Sequence, residues 1–163
     1  MSEQHQPFLP REEVIPAFSL PGADGMPHSP WDYKQRENLV LILLTSFKTS
    51  EARGILKEFK QQYRTLKEEN CAVLALAADP VVANLHTQEE LQLPFPLLAD
   101  PQGEVIRRYT YWEDATRSAK PSFVLTNRYG ALHEQWIAES EAELPPFTAI
   151  LKDLEYLNKL CAP

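Results

Sequence analysis

The chain has 163 residues and a mass of 18.6 kDa, the size of one domain that can bury an ordinary hydrophobic core. Its composition is 44% hydrophobic and 24% charged, near the averages for globular proteins, which argues against a wholly disordered chain. With 16 basic and 23 acidic residues, the net charge is −7. This charge argues against nucleic acid and anionic membranes as partners, because both attract basic surfaces.

The apolar segments of the chain give no sign of secretion or membrane insertion. The first dozen residues are polar and acidic, without the apolar segment of a secretory signal. The longest apolar run, at 39–44, is far shorter than the roughly 20 residues of a membrane-spanning helix. Two cysteines, Cys71 and Cys161, are too few for a disulfide scaffold. We therefore expect a cytoplasmic protein.

The N-terminal region predicts an arm followed by one domain. Residues 1–13 are polar and proline-containing, which indicates a flexible arm, and residues 14–160 carry the patterns of a single domain. An extended segment is predicted at 14–20, where Pro16 restricts it to a sheet edge. Ser29 precedes a proline and predicts one capped helical turn.

The middle of the chain alternates between strand and helix patterns. The apolar run at 39–44 is typical of a central strand that is covered on both faces. Apolar residues at three- and four-residue steps then predict a helix over 52–66, with Ser50 as its cap and Glu51 in its first turn. The same patterns predict a strand at 71–78, a helix at 81–91 and a short strand at 95–99.

The C-terminal third predicts a hairpin and a closing helix. A helical turn at 105–109 precedes two strands, at 122–126 and 131–137, which flank a short Asn- and Gly-containing turn. A helix is predicted over 141–160. Because strands and helices alternate before the hairpin, the order predicts an α/β domain with a central mixed sheet and helices on both faces.

Four short strings, in this order, carry a resemblance to a known family. They are IPAFSL at 15–20 followed by DG at 24–25, NLVLILL at 38–44, FPLLAD at 95–100 and SFVLTNRYG at 122–130. Together they resemble the thioredoxin fold in its peroxiredoxin version, the AhpC/TSA family. The resemblance implies a thioredoxin-like three-layer sandwich with a central mixed sheet flanked by helices. It also implies thiol-dependent peroxide reduction, and a homodimer as a possible assembly.

The chain departs from the family where the nucleophilic cysteine belongs. In the family this cysteine lies between the first core strand and the next helix, in a T-x-x-C or C-x-x-C setting, but residues 45–53 read TSFKTSEAR. Aligning Phe47 with the family's aromatic residue places Lys48 and Glu51 at the C-x-x-C positions. The arginine that steadies the family's thiolate falls near Lys120. We interpret seven residues as a degenerate active-site loop. They are Thr45, Lys48, Thr49, Glu51, Arg53, Lys120 and Pro121.

Two residues of this loop allow two interpretations each. Glu51 is either an anion paired with Lys120 or Arg53, or an ordinary carboxylate that stabilises the first turn of a helix. Pro121 is either a cis proline that faces the loop, as the resemblance implies, or a trans proline at a sheet edge.

The two cysteines are the remaining candidates for redox chemistry. Cys71 opens an apolar strand, where a buried thiol is inert. Cys161 lies near the C-terminus and is either a remnant of a resolving cysteine or incidental. The four histidines are scattered, and no Gly-rich phosphate motif is present, so we expect neither a metal nor another cofactor.

Three functional hypotheses follow. The first is a redox-inactive peroxiredoxin-like protein that serves as a binding or scaffold module for an unknown protein partner, since hydroxyls and carboxylates cannot replace a thiolate. The second is a thiol-dependent oxidoreductase that reduces peroxide through Cys71 or Cys161. The third is a small-anion site at the helix N-terminus, formed by Thr45, Lys48, Thr49 and Lys120.

Overall fold

The computed structural model describes residues 8–160. The strands are β1 (Leu20–Pro21), β2 (Pro27–His28), β3 (Asn38–Leu43), β4 (Cys71–Ala77), β5 (Leu97–Ala99), β6 (Trp112–Glu113), β7 (Ser118–Ala119), β8 (Ser122–Thr126) and β9 (Leu132–Ile137). The α-helices are α1 (Ser50–Gln61), α2 (Tyr63–Glu68), α3 (Val81–Leu91) and α4 (Phe147–Leu160). Three 3₁₀ turns cover Pro30–Asp32, Ile106–Arg108 and Glu141–Glu143.

A five-stranded mixed sheet, in the order β5-β4-β3-β8-β9, forms the centre of the fold. Strand β3 is parallel to β4, with Asn38 opposite Cys71 and Leu43 opposite Leu76. On its other side β3 is antiparallel to β8, which continues into the predicted hairpin with β9. Every residue of β3 and β4 is buried, as the continuous apolar runs predict. The predicted α/β fold class is confirmed.

The side chains of β3 alternate between two layers of core. One face packs against the helices, where Phe59 of α1 makes edge-to-face contacts with Phe123 and Phe147 at centroid distances of 5.5 Å. The other face packs against residues 9–20 and the 3₁₀ turn at Ile106–Arg108. The expected helices on both faces are thus α-helices on one face and a 3₁₀ turn on the other, within residues 8–160. Both faces of β3 are therefore covered, and its side chains do not reach solvent.

Two predicted helices differ in their bounds. The helix predicted over 52–66 is divided at Gln62, and its N-cap is Thr49 rather than Ser50. The helix predicted from 141 begins at Phe147. Pro145 and Pro146 would lie in the interior of the longer helix, where a proline lacks the N–H for the helical hydrogen bond and clashes with the preceding turn.

The N-terminal segment packs against the domain from residue 8 onward. Leu9 is buried and its N–H donates to Oε1 of Gln135 at 3.0 Å, while the N–H of Glu12 donates to the carbonyl of Leu132 at 2.8 Å. Residues 8–13 of the predicted flexible arm therefore contact the domain, and its first seven residues lie outside the described part. The predicted strand at 14–20 is reduced to one bridge at Val14 and to β1.

Candidate functional site

The loop that joins β3 to α1 is held by two carboxylates from distant parts of the chain. Asp79, at the end of β4, accepts hydrogen bonds from Oγ of Ser46 at 2.8 Å and from the N–H of Phe47 at 3.2 Å. Glu141 accepts from both the N–H and Oγ1 of Thr45, at 3.0 and 2.6 Å, through one oxygen. These backbone and hydroxyl donors of the loop are therefore satisfied within the chain.

Helix α1 begins directly after this loop. Thr49 is the N-cap, and its Oγ1 accepts the N–H of Ala52 at 3.1 Å. Ala52 is fully buried, whereas Ser50 and Glu51 are exposed. The first turn therefore presents an acidic and a hydroxyl side chain to solvent, with a buried methyl group behind them.

The predicted ion pair of Glu51 is absent. Arg53 instead pairs with Glu90 at 2.7 Å, and Lys120 pairs with Glu139 at 2.9 Å. Glu51 is therefore the ordinary first-turn carboxylate of the second interpretation, placed favourably for the helix dipole.

Thr45 and Lys120 are brought together, but not with the other loop residues. Both line a groove of about 290 Å³ that also includes Tyr111 and Glu139. The ammonium of Lys120 lies 5.1 Å from the centroid of the Tyr111 ring. Lys48 and Thr49 do not line this groove, so the anion site predicted from four residues is not assembled in the described part of the chain.

Pro121 is trans, but it is not at a sheet edge, because it directly precedes β8, which lies between β3 and β9. The structure contains no cis peptide bond within residues 8–160, and the carbonyl of Pro121 accepts the N–H of Ala138 at 3.0 Å. Pro121 therefore belongs to the hairpin between β8 and β9.

Cys71 lies at the opposite edge of the sheet from the loop. It is the first residue of β4 and pairs with Asn38, the first residue of β3, whereas the loop follows the last residue of β3. The five residue steps from Asn38 to Leu43 span roughly 16 Å at about 3.3 Å per step. The Cys71 thiol is fully buried, and this burial raises its pKa above the ordinary value of 9.0. Cys161 lies outside the described residues.

Residues 8–160 contain neither a cluster of metal ligands nor a membrane-spanning helix. No three His, Cys, Asp or Glu side chains in this part of the chain are placed to hold a metal ion together. None of its helices is long and apolar enough to cross a membrane.

Comparison with known proteins settles the family. Residues 12–135, about three quarters of the chain, match the AhpC/TSA family. The chain belongs to the AhpC/TSA family. Among curated proteins, peroxiredoxin bcp1 of Schizosaccharomyces pombe is 27% identical over 99 residues, which cover 59% of this chain and 49% of that protein. The match thus spans about half the length of the relative.

Solved structures of AhpC/TSA proteins share the fold of this family member. Peroxidoxin BcpB of Mycobacterium tuberculosis superposes with a TM-score of 0.79 at 18% identity, covering 91% of this chain and 96% of that one. AhpC of Enterococcus faecalis superposes with a TM-score of 0.84 at 16% identity, covering 93% of each chain. These similarities establish the thioredoxin-like, peroxiredoxin-type fold, and at such identities they establish the fold alone.

Two residues that organise the loop of this AhpC/TSA protein were missed at the sequence level. Asp79 carries a usable signal, because the carboxyl ends of the parallel strands β3 and β4 meet at one edge and Asp79 comes shortly after β4. Glu141 carries none. It lies 96 residues from Thr45, and its position depends on where the turn before α4 packs.

Proposed function

We propose that this AhpC/TSA protein has no peroxidatic cysteine and acts as a binding or scaffold module rather than as a peroxidase. The observation that carries the proposal is the sequence of residues 45–53, which contains no cysteine. The positions aligned with the family's C-x-x-C hold Lys48 and Glu51. An ammonium and a carboxylate cannot replace the deprotonated thiol that attacks a peroxide bond.

The carboxylates around the loop support the same proposal. Asp79 and Glu141 accept the hydrogen bonds of the loop's N–H and hydroxyl donors. An anionic ligand could bind these donors only by displacing carboxylates that belong to the same chain. Two carboxylates beside the loop would also disfavour a thiolate in their vicinity by charge repulsion. The arrangement is suited to fixing the shape of the loop.

The alternative function is thiol-dependent peroxide reduction through one of the two cysteines. Burial keeps Cys71 protonated and shielded, and the strand geometry keeps it away from the N-terminus of α1. Cys161 is addressed by experiment. A homodimer, an unknown protein partner and a cytoplasmic location remain parts of the proposal.

The test is consumption of hydrogen peroxide by the purified protein with dithiothreitol as reductant. The wild type is compared with a cysteine-free variant, Cys71→Ala with Cys161→Ser, whose fold is checked by circular dichroism. We expect equal rates, no higher than that of the reductant alone. A rate that falls when the cysteines are removed would contradict the proposal, and the two single variants would then identify the responsible thiol.

A further inference from the structure

A second groove, of about 450 Å³, lies between α1 and the C-terminal end of α3. We call it the α1–α3 groove. Its lining includes three cationic side chains and one carboxylate, which are Arg53, Lys57, Lys60 and Glu90. The groove therefore carries a charge of about +2 (3 − 1) in a chain whose net charge is −7. A local reversal of charge of this kind marks a surface that attracts anions.

The three cations share one face of α1 because of their spacing. Arg53, Lys57 and Lys60 stand at positions i, i+4 and i+7, which lie one above another on a helix. Lys60 lies in the last turn of α1, where the helix dipole favours a cation. Arg53 and Lys57 lie earlier at i and i+4, where like charges repel, so helix stability does not explain their placement.

Two of these cations are held at the groove by residues at the end of α3. Nζ of Lys60 donates to the carbonyl of Leu91 at 2.8 Å, and the guanidinium of Arg53 pairs with Glu90 at 2.7 Å. Within residues 8–160 the structure records no hydrogen bond or ion pair for the ammonium of Lys57. The groove thus combines two positioned donors with an exposed cation that has no such partner in the described part of the chain.

We propose that the α1–α3 groove binds a small anion that carries phosphate groups. A guanidinium can donate two parallel hydrogen bonds to two oxygens of one phosphate. A phosphate also carries nearly two negative charges, which several neighbouring cations can neutralise together. The volume lies in the range of about 300–1,000 Å³ that small-ligand sites occupy. Leu91 supplies an apolar part of the lining for the remainder of such a ligand. This site lies along α1 and shares only Arg53 with the residues interpreted above as a degenerate active-site loop, and it does not depend on the proposed loss of peroxidase activity.

Glu90 is the internal competitor for this site. Its side chain is 67% exposed, so its pair with Arg53 is screened by solvent and can open for a ligand with more charge. We therefore expect neutralisation of Glu90 to increase the affinity of the groove and removal of one of its cations to decrease it.

The experiment is a calorimetric titration with inorganic pyrophosphate at low ionic strength. We expect saturable binding to the wild type that Lys57→Ala weakens about fivefold or more and that Glu90→Gln tightens by a similar factor. Arg64→Ala is the matched control. It removes the same charge from the adjoining helix α2, where Arg64 is exposed and pairs with Glu68, outside the groove. We expect it to change affinity less than twofold, roughly the screening limit for a remote surface charge.

Three outcomes would overturn the proposal. The first is the absence of saturable binding to the wild type. The second is equal weakening by Arg64→Ala and Lys57→Ala, which would mean diffuse attraction to a basic helix. The third is binding of citrate as tight as that of pyrophosphate, which would exclude phosphate as the recognised group. All substituted residues are solvent-accessible, and circular dichroism checks that each variant is folded.

Discussion

The two ends of the parallel pair β3 and β4 differ in what they place next to the sheet. At the carboxyl end, a polar loop and the N-terminus of α1 meet two carboxylates, Asp79 and Glu141. At the amino end, Cys71 is sealed beside Asn38, whose side-chain amide donates to Asn158 at 2.8 Å. The Cys71 thiol and the N-terminus of α1, which could activate a thiol, therefore lie at opposite ends of the strands of one sheet.

Under the proposed function, this separation explains how the fold can be kept without the family's reaction. A thiol becomes a nucleophile only as a thiolate, which a helix N-terminus stabilises and apolar burial destabilises. Here α1 begins where no thiol is present, and Cys71 is buried where its pKa is raised. The sheet and its helices are those of the AhpC/TSA family, whereas reactivity depends on whether a cysteine lies at the end of the sheet where α1 begins.

The largest expected effect is the protection of Cys71 from alkylation. In a Cys161→Ser background, iodoacetamide can reach the Cys71 thiol only when the protein opens, because that thiol is fully buried. We expect labelling in buffer to be about a thousandfold or more slower than in denaturing urea, as the unfolded population of a stable domain requires. Mass spectrometry follows the reaction. Labelling within tenfold of the unfolded rate would show an accessible thiol and remove the contrast between the two edges.

The next largest effect concerns the carboxylate that holds the loop. Asp79→Ala leaves the buried N–H of Phe47 and the part-buried hydroxyl of Ser46 without their acceptor. We expect the free energy of unfolding to fall by about 2–3 kcal/mol, measured by urea denaturation. Asp79→Asn keeps one oxygen acceptor and is the control, with a smaller expected loss. Equal losses for the two variants would mean that charge, rather than hydrogen bonding, stabilises the loop.

Local patterns accounted for the fold well where packing and pattern agree. The helix predicted at 81–91 is α3 with the same bounds, and the strand at 122–126 is β8. The pattern failed for the helix predicted from 141, where apolar spacing was followed through two consecutive prolines. It also failed at Gln62, because the division between α1 and α2 is marked by neither glycine nor proline.

For the candidate site, the sequence predicted the position of the loop but not the side chains that contact it. The position of the loop follows from the order of elements and from the family resemblance. Its partners do not, because Glu141 contacts Thr45 across 96 residues of chain and Arg53 pairs with Glu90 on another helix. Charged side chains on surfaces have several candidate partners in a sequence, and only tertiary packing selects among them.

A third prediction uses the pH dependence of stability. Burial raises the pKa of the Cys71 thiol, so above pH 9 the unfolded chain loses this proton while the folded chain keeps it. The folded state then binds more protons than the unfolded state, and stability falls as the pH rises. In a Cys161→Ser background, the contribution of Cys71 approaches about 1.4 kcal/mol per pH unit above its unfolded pKa.

The measurement is urea denaturation between pH 8 and pH 10, with and without Cys71→Ala. Burial also raises the pKa of Tyr33 and Tyr109 from 10.0, but both tyrosines are present in the two proteins and their effects cancel in the difference. We expect the difference in unfolding free energy between the two proteins to change with pH. Parallel profiles would show that the Cys71 thiol titrates normally, and therefore that it is hydrated.

The smallest effect concerns the second carboxylate of the loop. Glu141→Ala removes the acceptor shared by the N–H and the hydroxyl of Thr45, both partly buried, and we expect a loss of about 1 kcal/mol in urea denaturation. Glu143→Ala is the matched control, because Glu143 belongs to the same turn and is exposed, and its loss should stay below about 0.5 kcal/mol. Equal losses would assign the effect to the turn itself. The loop at the carboxyl edge would then be held by Asp79 alone, and an external anion could occupy the donors of Thr45.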